Sequence, residues 1–138
     1  IDTYGGYARS SGAALSGKDP MRIDRVGSYI ARYAAKNVVA AGLARECEVQ
    51  LSYSIGSADP VSIRVRTFGS SELDDEVIAD RVKQVFDFRP GGIVRDLGLK
   101  KLSAQLGGFY RKLAVYGHMG RRELEVPWES TAIASKLK

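Results

Sequence analysis

The stretch "GGYARSSGAALSGKDPMRIDR", residues 5–25, gathers the groups most able to do chemistry. Within it, Gly12 to Lys18 fits G-x-x-x-x-G-K. Glycines let backbone N–H groups approach an anion closely, and a helix N-terminus adds partial positive charge. Lys18 supplies a full charge, Arg22 follows one turn later, and Asp24 lies two residues beyond Arg22. A carboxylate beside phosphate ligands is a common way to hold magnesium. A nucleotide-binding P-loop would need Ser or Thr after the lysine; Asp19 stands there and would repel phosphate. Two readings follow. One is an anion-facing loop, suited to phosphate, that is not a P-loop. The other is a plain glycine-rich loop, with Asp19 as a helix cap and Asp24 paired to Arg22 or Arg25.

The other reactive residue types stand alone. His118 is the single histidine, with no ligand or nucleophile beside it in sequence, and reads as a hydrogen-bonded loop residue rather than a general base. Cys47 falls on the inward side of a strand pattern and reads as a small core residue. Trp128, after Pro127, reads as packing a loop onto the core. Arg64 and Arg66 read as solvent-facing or interface surface.

The elements that must position these groups are legible. Asp19-Pro20 opens a helix over about 20–41, with Asp19 as N-cap and Pro20 in the first position. Ile23, Val26, Ile30, Ala34 and Val38 form its apolar stripe, and Gly42 ends it. "CEVQLSYSIG" alternates, with Cys47, Val49, Leu51, Tyr53 and Ile55 on one face; "VSIRVRTF" alternates with Val61, Ile63 and Val65 inward. Joined by "SADP", they form a hairpin. A second helix, capped near Asp74, carries Val77, Ile78, Val82 and Val85; "RPGGIVRDLGL" starts a shorter third. Positions 100–113 read as helix then coil, "YGHMGRRELEVPWES" as loop, and the tail from Ser130 as a short or frayed helix. "IDTYGG" reads as a strand running into a turn, so the chain reads as a fragment that begins in mid-strand. The expected fold is α+β: a long helix and shorter helices packed on one face of a small, mainly antiparallel sheet.

Bulk properties bound the rest. The 138 residues predict a single domain, and 44% hydrophobic content suits a packed core. The net charge of +5 is dispersed, with 21 basic residues set among 16 acids, and gives no stripe to track a nucleic acid. No run reaches the length of a membrane span. A single cysteine excludes an internal disulfide and fits a reducing compartment, so the expected location is cytoplasmic.

Several segments in order resemble one family. "DTYGG", "SGKDPMRIDR", "ARYAAKNVVAAGLA", "YSIG", "FDFRPGGI", "YGHMGR" and "VPWE" are similar to the motifs of the carboxy-terminal domain of S-adenosylmethionine synthetases (methionine adenosyltransferases). The resemblance covers essentially the whole chain. It implies a reaction in which L-methionine sulfur attacks the ribose C5′ of ATP and displaces triphosphate, which is then hydrolysed to phosphate and pyrophosphate, assisted by Mg2+ and K+. It places Lys18 at the nucleotide phosphates as a stabiliser of the leaving group, Ala14 at ATP through its backbone, Arg22 near methionine and Asp24 at magnesium. It also implies a homodimer or dimer of dimers with sites between subunits.

The sequence departs from the family at Arg22, where a lysine is usual, at Leu15, where an aromatic is usual, and at Met119, where phenylalanine is usual. The stretch between Lys100 and His118 is also altered. The family's early His-Pro-Asp segment, its Gly-Arg-Lys and its acidic middle segment are not in the chain. The expectation is part of a half-site, inactive alone. The alternative is a non-catalytic α+β assembly module of the same fold.

Overall fold

The computed structural model describes residues 1–10 and 12–138, and all side chains among them except those of Ser103, Gln105 and Leu106. Ser11, part of the predicted glycine-rich loop, lies outside the described residues.

Helix α1 runs Ile23–Ala40. Val26, Ile30, Ala34 and Val38 recur along one side and are at most 2% exposed. Such spacing puts them on one face, and burying that face drives the helix onto the rest of the molecule. The helix closes with two backbone hydrogen bonds, Gly42 N–H to Val39 O (3.0 Å) and Leu43 N–H to Val38 O (3.3 Å), the Schellman pattern. Its start departs from the sequence reading. Asp19 does not cap it; Arg22 is the N-cap residue. The Asp19 carboxylate instead accepts the Met21 N–H at 2.8 Å, and the Asp19 carbonyl accepts Arg22 N–H at 2.9 Å. A short-range bond of Asp to its own backbone makes a turn ahead of the helix. Ile23 therefore sits at the mouth of the helix and is 38% exposed rather than part of the buried stripe.

Strands β1 (Glu48–Ser52) and β2 (Ser62–Arg66) pair antiparallel, with Val49 opposite Val65 and Leu51 opposite Ile63. That register puts the apolar pairs on the side toward the core and leaves Gln50, Arg64 and Arg66 exposed. Ile55 and Val61, predicted inward, are exposed because they lie beyond the paired segment, in the connection. Cys47 is half-buried beside β1, and burial foremost pushes its thiol up to about 12.

Helix α2 (Asp75–Val85) follows β2. The Asp75 carboxylate accepts both the N–H (3.0 Å) and the hydroxyl (2.6 Å) of Thr67, tying the end of the hairpin to the helix start. Ile78, Ala79 and Val82 are buried; Val77, predicted in the stripe, is 43% exposed, one residue off the core-facing line. Helices α1 and α2 pack on β1 and β2 respectively, which gives the expected α+β arrangement.

Helix α3 (Pro90–Asp96) begins with Pro90, where the missing N–H would be unpaired anyway. A side chain at Gly92 would overlap the Asp87 carboxylate. That carboxylate is not free to move: the side chain of Arg89 holds it through two bonds of 2.8–2.9 Å, and Arg95 adds a third of 3.2 Å. These bonds, chiefly from Arg89, outweigh burial and hold Asp87 well below the usual carboxylate range. Gly92→Ala is expected to lower stability by about 1–3 kcal/mol, read as a lower urea midpoint, whereas Gly91→Ala, where a Cβ meets nothing, is expected to have little effect.

Helices α4 (Leu99–Leu106) and α5 (Phe109–Leu113) fill the region read as helix then coil. Single 3-10 turns punctuate the rest, at Arg122–Leu124, Pro127–Glu129 and Ala134–Leu137. The tail is not frayed. Leu137 is fully buried and its carbonyl accepts from Arg81 Nη1 at 2.9 Å. Tyr4–Gly6 is a 3-10 turn, not the end of a strand. The Asp2 carboxylate accepts the Tyr4 N–H at 2.8 Å and holds that turn.

Candidate functional site

The glycine-rich loop is anchored from beneath by side chains of α1 and of the late "YGHMG" segment. Arg25, in the first turn of α1, is 2% exposed. Its Nη2 donates to the carbonyl of Leu15 at 2.6 Å, and its Nη1 donates to the Tyr29 hydroxyl at 3.3 Å. Its guanidinium also lies over the Tyr110 ring, 4.8 Å from the centroid, a cation–π contact. Tyr29 is one turn further along α1 on the same face. Its hydroxyl is 2.8 Å from His118 Nδ1, and His118 Nε2 is 3.0 Å from Ser16 Oγ. The loop is thus gripped at Leu15 and at Ser16.

His118 is itself fixed on every side. Its carbonyl accepts from Trp128 Nε1 at 2.8 Å. The backbone N–H groups of His118 and Met119 both donate to the Tyr4 hydroxyl at 2.9 Å. Gly117 has φ +78°, and a Cβ there would press on Tyr4 and Asp2, so the backbone reaches this geometry only as glycine. Arg121 Nη1 spans the turn below, donating to the carbonyls of Val115 (2.5 Å) and Gly117 (3.0 Å). Burial, foremost, and the nearby Arg25 and Arg121 charges push His118 down to about 4. It is therefore neutral at pH 7, as the sequence reading of a hydrogen-bonded residue requires.

Lys18 and Asp24 meet above this anchored floor. Lys18 Nζ donates to Asp24 Oδ2 at 2.5 Å, with both side chains about a third exposed. Asp24 therefore pairs with Lys18, not with Arg22 or Arg25 as the plain-loop reading had it. Arg22 is exposed at the N-cap of α1 and makes no ion pair among the described residues. Ala14 is exposed on the loop. The geometry brings Lys18 and Asp24 into contact and sets Ala14 and Arg22 on the exposed part of the same loop–helix junction. Among the described residues, no three His, Cys, Asp or Glu side chains gather as a metal cluster.

Sequence reasoning did not find Arg25, Tyr29, Ser16 or Tyr4 as parts of this arrangement. Arg25 and Tyr29 carried one usable signal: they lie four apart, with Arg25 directly before Val26 and Tyr29 directly before Ile30 of the buried stripe.

What these contacts define is an α+β domain presenting a lysine and a carboxylate on a glycine loop at a helix start. A family profile described as the S-adenosylmethionine synthetase carboxy-terminal domain matches residues 1–130. Relatives named S-adenosylmethionine synthase include those of Crocosphaera subtropica and Gloeobacter violaceus, each 55% identical over 139 aligned residues, and that of Synechococcus elongatus, 53% identical. Each alignment covers all of this chain and 33% of the relative. The chain belongs to the S-adenosylmethionine synthetase family and corresponds to its carboxy-terminal domain. It spans about a third of the length of these relatives.

Proposed function

We propose that this chain, as a single carboxy-terminal domain, supplies the polyphosphate-facing part of a methionine adenosyltransferase. The observation that carries the reading is the pair between Lys18, on a loop held by Arg25 and His118, and Asp24 in the first turn of α1. The reaction forms a bond from methionine sulfur to C5′ of ATP. The C5′–O bond breaks, its electron pair leaves with the triphosphate, and the sulfur becomes a sulfonium. Water then hydrolyses the triphosphate to phosphate and pyrophosphate. The difficulty lies in the negative charge that develops on the leaving oxygen, and a preorganised cation answers it. Lys18 fills that role, moving its ammonium from Asp24 to a phosphate oxygen. Ala14 offers backbone contact to the nucleotide. Arg22, exposed and unpaired with any acid among the described residues, suits the methionine carboxylate.

Asp24, once Lys18 has moved, is a single carboxylate. That fits magnesium, which takes one or two carboxylates and fills its other positions with phosphate oxygens and water. The bound ion would neutralise charge on the triphosphate. Potassium rests on the family resemblance, and no residue of this chain is assigned to it. A homodimer or dimer of dimers with sites shared between subunits completes the reading, and the isolated domain is inactive. Among the described residues no helix is long and apolar enough to cross a membrane. The cytoplasmic assignment rests on the single thiol, which suits a reducing compartment.

In the full-length synthase, Lys18→Ala is expected to lower kcat by about 10²–10³-fold, with weaker binding of a non-hydrolysable ATP analogue by calorimetry. Unchanged kcat and analogue affinity would instead favour a non-catalytic assembly module.

A further inference from the structure

The hydrogen bonds beneath the loop have a direction. A buried guanidinium stays charged and can only donate, so Arg25 Nη1 makes the Tyr29 oxygen an acceptor. The Tyr29 hydroxyl then has one proton to place. Burial, foremost, keeps that hydroxyl protonated well above its ordinary range. Its acceptor among the described residues is His118 Nδ1, at 2.8 Å. If Nδ1 carried the proton instead, the tyrosine proton would be buried without an acceptor, an arrangement native interiors avoid. Neutral His118 therefore keeps its single proton on Nε2, which donates to Ser16 Oγ at 3.0 Å. With that oxygen accepting from the protein, the Ser16 hydroxyl proton has no acceptor among the described residues. Ser16 is exposed and stands two residues before Lys18.

We infer that Ser16 is a further substrate-binding residue: its hydroxyl, oriented outward by the Arg25–Tyr29–His118 chain, donates a hydrogen bond to a phosphoryl oxygen of the polyphosphate. This rests on the polyphosphate reading of the loop. Phosphoryl oxygens only accept, so a hydroxyl already committed to donating is matched to them. The same polarity takes His118 out of acid–base duty, since one ring nitrogen accepts from Tyr29 and the other donates to Ser16. His118, Tyr29 and Arg25 are positioning residues; of these four linked side chains, Ser16 is the one that touches the ligand.

The test uses the full-length synthase containing this domain, titrated calorimetrically with inorganic tripolyphosphate in the presence of magnesium. Ser16→Ala is expected to weaken binding about 10-fold or more, as for a hydrogen bond to a charged group, and Ser16→Thr to restore most of it. Tyr29→Phe frees the His118 tautomer and is expected to weaken binding several-fold while Ser16 is still present. Nitrogen-15 NMR of the His118 ring is expected to show Nε2–H with unprotonated Nδ1 from pH 6 to 8. Loss of binding in Lys18→Ala with wild-type affinity in Ser16→Ala would overturn this inference and leave the polyphosphate reading standing. Wild-type affinity in both variants would overturn the reading, and the inference with it. An Nδ1–H tautomer would overturn the directed chain.

Discussion

Glu129→Ala is expected to destabilise the domain by about 3 kcal/mol or more. Glu129 is 9% exposed, yet it receives bidentate bonds from Arg32 (2.9 Å each), a bond from Lys36 Nζ (2.5 Å) and the Gly120 N–H (2.7 Å). Removing the carboxylate leaves two cations of α1 facing each other, with Lys36 mostly buried, and orphans a backbone donor. Burial alone would raise the Glu129 pKa, but the donors from Arg32, Lys36 and Gly120 prevail and hold it at about 2. The sign follows. The folded state binds a proton more weakly than the unfolded chain, whose glutamate titrates near ~4.3. The stabilisation, about 3 kcal/mol, is fully present above about pH 5 and is lost as pH falls toward 2. Urea unfolding of the wild type and of Glu129→Gln across pH 2–7 checks this: the stability gap is expected to be full near neutrality and to shrink below about pH 4. A gap that is constant with pH would refute the assignment.

Trp128→Ala is expected to cost about 3–5 kcal/mol, and to damage the site along with the fold. The indole is fully buried. It stacks on Tyr29 with centroids 3.6 Å apart and planes 5° from parallel, and meets Phe109 edge-on at 6.1 Å. Its Nε1 donates to the His118 carbonyl. Trp128 thus braces both residues that hold Ser16 in place. Trp128→Phe keeps a ring against Tyr29 but leaves the His118 carbonyl without its donor, so a smaller loss of about 1–3 kcal/mol is expected. Thermal unfolding of both variants, with kcat of the full-length synthase at a temperature where each remains folded, separates the contributions. A Trp128→Ala protein with wild-type kcat would show that this bracing does not reach the site.

Those two residues also mark the boundary of what the sequence revealed. The stripe Val26, Ile30, Ala34, Val38 and the alternation Val49, Leu51 against Ile63, Val65 are local periodicities, and each element formed where its period ran. The errors fall at element ends, where pattern and pairing part. Ile55 and Val61 continue the alternation in sequence but lie past the last ladder pair, and Ile23 continues the stripe but sits exposed in the first turn. Asp19 satisfied the composition of a cap, yet its nearest free N–H belonged to a turn. The site was legible as a loop with a lysine and an acid. Its support was not, because Ser16, Tyr29 and His118 lie 89 to 102 residues apart across their bonds. No spacing rule reaches that far. The family motifs include Ser16 and His118 without saying that the two touch, and Tyr29 falls between them. Glu129 is a similar case: Arg32 and Lys36 are four apart on one helix face, which advertises a pair of cations, but their acid partner is more than ninety residues away.

The measurement that bears most directly on the account is a crystal structure of the full-length synthase with magnesium and tripolyphosphate. The account predicts a phosphoryl oxygen within hydrogen-bond distance of Lys18 Nζ, Lys18 withdrawn from Asp24, and the loop backbone at Leu15 and Ser16 still held by Arg25 and His118. Tripolyphosphate bound elsewhere, with the Lys18–Asp24 pair closed as it is here at 2.5 Å, would contradict it.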